Sequence, residues 1–434
     1  MKRIKLTTWI GIAMAAGVIV GFLCNKMAPD AAAAKEIAGY FSIFTDIFLR
    51  LIKMIIAPLI LATLVAGLAG MGDAKAVGRI GFKALGWFFG ASICSLLIGL
   101  AMANLMRPGD SLGMPLPDVG AATNLKTSAL NLKDFITHVF PKSIFEAMGN
   151  NEVLQILVFA LFFGLALGKL HNSTSNSLVK STEDLMHVML QVTNYVMRFA
   201  PVGVFAAVSS VITTQGLGVL LVYGKYIASF FLALGVLWLV LIGAGYFVLG
   251  KDVFRLIKAI RGPMLMGFST ASSESAYPKL MEQLEKFGVK NRIVGFILPL
   301  GYSFNLDGSM MNTAFVALFI SQAYNIPMTV GQQITMLLVL MVSSKGIAGV
   351  PRASLVVVAA VLPMFGLPEA GLLLVMGIDH FLDMGRTATN VLGNAIATAV
   401  VAKWENAIDP VDEEAVESDD LIPLEQEVKL PKAA

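Results

Sequence analysis

Eight stretches of this 434-residue chain are long and apolar enough to cross the hydrocarbon core of a bilayer, which takes about 20 largely apolar residues as a helix. They run over 7–24, 46–70, 82–106, 152–170, 185–214, 222–250, 293–323 and 369–403. In lipid every backbone N–H and C=O must find its partner inside the protein. Runs of this length do so as helices, because a barrel strand needs only about 10 residues. Charge supports the reading: 14% of the residues are charged and 56% are apolar, against about 25% and 45–50% in soluble domains. Too few charges remain to cover a water-facing surface. An all-α polytopic membrane protein follows, and a cytosolic enzyme, a disordered hub and a disulfide-stapled secreted scaffold are excluded. Cys24 and Cys94 are the only cysteines, and the four histidines show no metal-ligand spacing.

Orientation follows from the basic residues. The first run comes after Lys2, Arg3 and Lys5 and lacks a clean small-residue cleavage site, so it reads as a retained span. With the N-terminus inside, segments 1–6, 71–83, 169–180, 251–261 and 279–292 are cytoplasmic and hold sixteen Lys/Arg. The exterior segments 25–37, 107–146, 215–225, 324–330 and 366–368 hold seven. Positive charge is concentrated inside, as membrane insertion requires, and both termini are expected to be cytoplasmic. The net charge of +3 divides into −8 for residues 405–434, with ten acidic and two basic residues, and +11 for the rest. The tail reads as a solvated, disordered acidic extension. The basic remainder reads as membrane orientation, with no nucleic-acid partner.

This assignment holds only if two stretches enter the membrane and return on the same side. One is Gly262 to about Leu284, with Ser269-Thr270-Ala271-Ser272-Ser273-Glu274-Ser275 at its tip. The other is about Gln332 to Phe365, where apolar arms 334–342 and 355–361 flank Ser343-Ser344-Lys345-Gly346-Ile347-Ala348-Gly349-Val350-Pro351. Each of these arms is about half a span. The alternative for 332–365 is one kinked span, which would place the acidic tail outside. A hairpin plus span (262–323) followed by another (332–403) is the pattern of an inverted-repeat transporter with a site near the midplane.

Polar residues concentrate in the last two spans. Gly301-Tyr302-Ser303-Phe304-Asn305-Leu306-Asp307-Gly308-Ser309 lies within an apolar run. It predicts a broken helix where free carbonyls and the Asp307 carboxylate bind a cation. The eighth span carries Asp379, Asp383, Arg386, Asn390 and Asn394 at spacings of 4, 3, 4 and 4, all on one helical face. A charge at mid-membrane costs about 2.5–3.5 kcal/mol on insertion scales, so three of them need a reason. Arg386 is a fork for a carboxylate and Asp383 an acceptor for a cationic amine. Alternatively, the two neutralise one another as a structural pair. The functional reading describes an acidic amino acid, whose remaining carboxylate meets the Ser-rich hairpin tips. An intramembrane aspartyl protease using Asp307 and Asp383 is a competing class. It lacks the GxGD context expected of such enzymes, and Arg386 would hold Asp383 ionised.

Ser272-Ser273-Glu274-Ser275, Asn305-Leu306-Asp307-Gly308-Ser309, Gly349-Val350-Pro351 and Asp379…Asp383-Met384-Gly385-Arg386-Thr387…Asn390 resemble the dicarboxylate/amino acid:cation symporter family. That family includes bacterial and neuronal glutamate/aspartate transporters, and the resemblance runs in order from about residue 7 to Trp404. It implies eight transmembrane helices plus two re-entrant helical hairpins, an inverted-repeat elevator transporter, and a homotrimer whose protomers work alone. Residues 1–404 form the transporter, with a scaffold of approximately 1–70 and 131–220 and a transport domain of approximately 78–106 and 222–404.

The resemblance gives Arg386 the substrate's side-chain carboxylate and Asp383 its amino group. Asn390, Ser272 and Ser273 take the main-chain carboxylate and nearby polar atoms, and Thr387 and Ser309 complete the set. Ser309 stands where the family usually has Thr. Val350 and Pro351 lie in the second hairpin tip, the outer gate, followed by an unusual Arg352. An ionisable residue at Asp383 favours an amino acid over a C4-dicarboxylate.

Cation coupling is assigned to Asp307, Asn305, Gly301, Asp379, Asn394 and Glu274. Sodium-coupled relatives carry an Asp at the position of Asn394 and a Tyr/Thr/Ser group where this chain has Phe88, Ala91 and Ser92. The substitution leaves fewer hard oxygens for sodium. Proton coupling is therefore favoured and sodium is the alternative, with Glu274, Asp307 and Asp379 as candidate proton carriers. No other cofactor is expected. The short N-terminal lead and the lack of organellar targeting features suit a bacterial inner membrane.

Overall fold

The computed structural model describes residues 6–71, 74–110, 116–118, 137, 139–170, 173–217, 223–344 and 353–409. Among the described residues the chain is helical apart from turns and one isolated bridge, Val289 with Ile408. One group of helices comprises α1 (Leu6–Met27), α2 (Ala31–Met71), the short α4 (Ile144–Gly149), α5 (Val153–Lys169), α6 (Ser173–Met197) and α7 (Ala200–Gln215). Helix α1 lies along α7, and α2 lies against α5, α6 and α7. Gly17 and Gly21, one helical turn apart on α1, let the backbones meet: a Cβ at Gly21 would stand 2.8 Å from the Ser209 carbonyl. Small residues serve this way because lipid gives helices no hydrophobic reason to associate, and close packing must do so instead.

The second group is α3 (Ala74–Met106), α8 (Gly224–Leu249), α9 (Asp252–Thr270), α10 (Ser273–Lys286), α11 (Asn291–Phe304), α12 (Asp307–Ala323), α13 (Val330–Ser343), α14 (Ala353–Val361), α15 (Leu372–Met376) and α16 (Asp379–Trp404). Helix α16 is their axis, touching α3, α8, α9, α10, α11 and α12, and every residue from Gly385 to Ala402 is buried. Its polar stripe therefore faces protein rather than lipid. Large apolar side chains such as Ile19, Phe82, Leu239 and Phe247 are exposed on the outer helices, the inverse of a soluble surface.

Among the described residues four helices are long and apolar enough to cross a membrane, within α1, α2, α3 and α8, and a fifth span arises if the bent pair α6–α7 counts as one. Several sequence boundaries change: α3 starts at Ala74, not 82, and the expected eighth span 369–403 divides at Gly377-Ile378 into α15 and α16. Helix α2 starts at Ala31, not 46, because Ala31-Ala32-Ala33-Ala34-Lys35-Glu36 is a strong helix former despite its polarity. At 41 residues it is about 60 Å long and outreaches the bilayer core. The expected single span 185–214 is two helices bent by 50°, with Pro201 in the first turn of the second, where its missing N–H costs nothing. The first hairpin begins at Asp252, so the expected cytoplasmic connection 251–261 is its first arm.

The tail also begins later than 405. The Glu405 carboxylate, 7% exposed, accepts from Arg79 Nη2 at 2.7 Å and from Lys83 Nζ at 2.6 Å. Asp409 N donates to the Gly288 carbonyl at 2.8 Å and Lys290 N to that of Ala407 at 3.1 Å. Residues 405–409 thus clasp the end of α16 to the start of α3 and to the α10–α11 turn. The remainder of the tail lies outside the described residues. The Arg79 hydrogen bonds, helped by Lys83, pull the Glu405 carboxyl down to about 2. A lowered carboxyl contributes stability at pH values above its unfolded value near 4.3 and loses it as the pH falls through the folded value. The melting temperature of the wild type should therefore exceed that of Glu405→Gln by a constant margin from roughly pH 8 to 5. The margin should close between about pH 4 and 2. A margin already lost near pH 6 would show the clasp is not ionic.

Candidate functional site

The first hairpin tip is a two-residue reversal. Ala271 takes the left-handed conformation at φ 48°, and Ser272 caps α10 by accepting from Ser275 N at 3.4 Å. The Ser275 hydroxyl donates to the Ser272 carbonyl at 2.8 Å and lies 2.7 Å from Thr270 Oγ1. Tyr302 of α11 donates its phenol to the Ser273 carbonyl at 2.9 Å, tying the tip to the broken span. On the other side of the hairpin, Gly267 packs against Thr387, where a Cβ would meet its methyl at 3.0 Å. Ser272 and Ser273 are thus fixed in the tip by short local bonds, and Thr387 packs against the arm that leads to it.

The span 293–323 breaks where the sequence places it. Helix α11 ends at Phe304, α12 starts at Asp307, and Asn305 and Leu306 lie between. Asn390 of α16 secures the new N-terminus. Its Oδ1 accepts from Gly308 N at 2.9 Å and Ser309 N at 3.4 Å, and its Nδ2 donates to Ser309 Oγ at 3.2 Å. A helix start leaves N–H groups without intrahelical partners, and this buried amide satisfies two of them. Backbone and side chain meet closely here: a Cβ on Gly308 would be 2.5 Å from the Arg386 carbonyl.

Arg386 is 2% exposed at its side chain, and Nη2 and Nε make its ionic contacts. Nη2 lies 3.0 Å from Asp379 Oδ1 and 2.9 Å from Asp383 Oδ1, and Nε donates to Asp383 Oδ1 at 3.2 Å. Nη1 donates to Ser354 Oγ at 2.6 Å. Asp379 therefore sits beside the guanidinium, away from the Asp307 cluster to which the sequence assigned it by function. The pairing of Asp383 with Arg386 is present as well. Asp383 differs from Asp379 in access, with its side chain 32% exposed against 3%, so it can meet a second cationic partner.

Asp307, Asn305 and Asn394 form a separate buried cluster. Asn305 Nδ2 donates to Asp307 Oδ2 at 3.1 Å and to Asn394 Oδ1 at 3.4 Å. The Ser95 hydroxyl, 2.8 Å from the Ala91 carbonyl, is 3.4 Å from Asp307 Oδ1. The Gly301 carbonyl accepts from Asn305 N at 2.7 Å, and the Phe88 ring packs beside Gly301. Glu274 is placed elsewhere: it pairs with Lys53 of α2 at 3.6 Å and is 39% exposed. Val350, Pro351 and Arg352 lie outside the described residues. Sequence reasoning did not select Ser95, Asn312 or Ser354. A Ser one turn beyond Ala91 on a polar-poor helix was the only available sign of the first.

Residues 6–404 match the sodium:dicarboxylate symporter family. The chain belongs to that family. It is 36% identical over 427 residues to a proton/sodium-glutamate symport protein of Bacillus subtilis (strain 168), covering 96% of this chain and 97% of the relative. It is 37% identical over 418 residues to a proton/glutamate-aspartate symporter of Escherichia coli (strain K12), covering 94% and 95%. A C4-dicarboxylate transport protein of Laribacter hongkongensis (strain HLHK9) is 36% identical over 435 residues, covering 99% and 97%. The symporter is a multi-pass membrane transport protein and not an enzyme, which removes the aspartyl protease reading.

Proposed function

We propose that the symporter takes up acidic amino acids, glutamate or aspartate, driven by protons. The Asp383 geometry supports an amino acid: the most accessible acid of the polar stripe stands next to the Arg386 fork, so one ligand can offer an amine to the first and a carboxylate to the second. The main-chain carboxylate would then meet Ser272, Ser273, Thr387, Asn390 and Ser309.

The observation that favours protons is the amide pair beside Asp307. Asn305 Oδ1 and Asn394 Nδ2 are buried without hydrogen-bond partners. An amide can present oxygen or NH2 to the same point. With Asp307 ionised, Asn305 Nδ2 donates both to it and to Asn394 Oδ1. With Asp307 protonated, both amides turn, and Asn305 Oδ1 accepts from the carboxyl O–H and from Asn394 Nδ2. Each amide thus keeps a partner in either charge state, and the cluster takes up a proton without losing a hydrogen bond between its three side chains. A sodium ion finds one carboxylate and otherwise neutral oxygens here, a sparse set for a hard cation.

The remaining features are part of the same reading. Eight spans and two hairpins enclose the site, the α16-centred group moves as an elevator against the α1–α2–α5–α6–α7 scaffold, and three protomers assemble. The membrane is a bacterial inner membrane with both termini cytoplasmic. Proteoliposomes with a pH gradient and no sodium should accumulate labelled glutamate or aspartate, while a sodium gradient at clamped pH should not. Accumulation with sodium alone overturns the proton assignment. Preferential counterflow of succinate would place the symporter with its C4-dicarboxylate relatives instead.

A further inference from the structure

Arg386 has five N–H donors, and the acids of its own helix leave few of them over. Both Nη2 contacts and Nε go to Asp379 and Asp383. Nη1 alone points away from α16, and it donates to Ser354 on α14. The three charges Arg386, Asp379 and Asp383 sum to −1, so net charge does not draw an anion to this point. Directional donors must do it.

Ser354 is 6% exposed and Asn312 of α12 is fully buried. Asn312 Nδ2 donates to Ser354 Oγ at 3.2 Å, the same oxygen that accepts Arg386 Nη1 at 2.6 Å. A serine hydroxyl has two acceptor positions and one proton. Here both acceptor positions are filled by nitrogen donors, and the proton remains to be given. Asn312 Oδ1 is buried without a partner, an uncommon and costly state for an amide. If the amide turns to take the serine proton, its own NH2 becomes the donor left over. In the orientation the structure shows, the surplus donor is the Ser354 O–H, on the oxygen that Nη1 already touches.

We propose that Asn312 and Ser354 form a positioning relay that completes the carboxylate fork of Arg386. Asn312 fixes the Ser354 hydroxyl so that Oγ–H and Arg386 Nη1–H together face the two oxygens of the substrate's distal carboxylate. This rests on the acidic-amino-acid reading above and names the residues that select the acid over its amide. A distal amide would set its NH2 against a donor. Because Ser354 lies on the returning arm of the second hairpin stretch and Asn312 on the broken span, the relay also makes the carboxylate contact depend on α12 and α14 being seated against α16.

The test is glutamate and aspartate uptake in proteoliposomes by wild type, Ser354→Ala, Ser354→Thr and Asn312→Leu, with glutamine as a competitor. A hydrogen bond to a charged group corresponds to roughly a ten- to hundredfold change in affinity. Ser354→Ala should therefore raise the half-saturation concentration for the acids by about tenfold or more, with the maximal rate kept and glutamine inhibition no weaker. Ser354→Thr, which keeps the hydroxyl, should stay near wild type, and Asn312→Leu should move in the direction of Ser354→Ala. An unchanged half-saturation in Ser354→Ala, or an equal loss for acid and amide that threonine does not rescue, overturns the relay while wild-type uptake stands. Wild type that takes up no acid overturns the underlying reading and the relay with it.

Discussion

Replacing Arg386 by lysine should leave a folded, membrane-inserted protein that no longer accumulates glutamate or aspartate. What a lysine keeps and what it loses decide the outcome. Asp379 is 3% exposed and salt-bridged to Arg386 Nη2. Removing the cation altogether leaves that carboxylate buried and uncompensated, a defect of about 3–5 kcal/mol for a buried pair. Arg386→Ala therefore confounds folding with transport. Lysine retains a positive charge for Asp379 and Asp383, but as a compact ammonium on a flexible stem. It cannot hold Asp379, Asp383 and Ser354 in three directions and still present two parallel donors to a carboxylate. The expected result is wild-type yield and oligomer profile in detergent with acid uptake reduced at least about tenfold, the low end for a lost charge-assisted contact. Near-normal uptake by Arg386→Lys would show that charge alone is recognised and that the fork has no role. An aggregated Arg386→Lys protein would show that guanidinium geometry is needed for the helix packing itself.

The residues of that fork were readable in the sequence to different extents. The stripe Asp379–Asp383–Arg386–Asn390–Asn394 announces itself because a helical period of charges in an apolar run has no other cause, and the break at Asn305–Leu306 is marked by glycines flanking Asn and Asp. Both are local signals, and both stand in the structure. Ser354, Asn312 and Ser95 carry no such signal. Each is one small polar residue in a hydrophobic stretch, which a helix hides by bonding to its own backbone, and only the folding of α14, α12 and α3 onto α16 and the break gives them partners 32, 42 and 212 residues away. Function assigned Asp379 to the cation, whereas packing puts it on Arg386, a choice between two neighbours that spacing on one helix cannot make. Glu274, in the conspicuous hairpin-tip motif, pairs with Lys53 of α2, a partner from a distant helix that no local spacing indicates. Helix ends were least legible, since hydropathy marks where lipid stops and not where hydrogen bonding stops, as the long α2 and the early start of α9 demonstrate.

Gly393→Ala should abolish coupled uptake, although it adds one methyl group to a helix that alanine ordinarily stabilises by about 1 kcal/mol. A Cβ at Gly393 falls on the Asp307 carboxylate oxygen, with Asn305 Nδ2 at 3.4 Å behind it. Gly301 is the matching position on α11, where a Cβ falls on Asn394 Oδ1. The two glycines therefore leave room on opposite sides of the same three side chains, and neither has a positive φ that would explain it otherwise. Relief would require Asp307 to swing away from Asn305 and Ser95. Its short side chain is closed in by fully buried neighbours, so the shift must pass to the helices. Overpacking of this kind costs about 1–3 kcal/mol, and the displaced carboxylate loses its Asn305 hydrogen bond, on which the proposed proton coupling rests. Gly86, on α3 with nothing within 4 Å of its Cβ position, is the control. Gly86→Ala should transport normally and melt no lower than wild type. Gly393→Ala and Gly301→Ala should both melt lower and fail to accumulate substrate under a pH gradient. If Gly393→Ala melts lower but keeps full proton-driven uptake, the Asp307 cluster is a packing feature and the coupling site lies elsewhere.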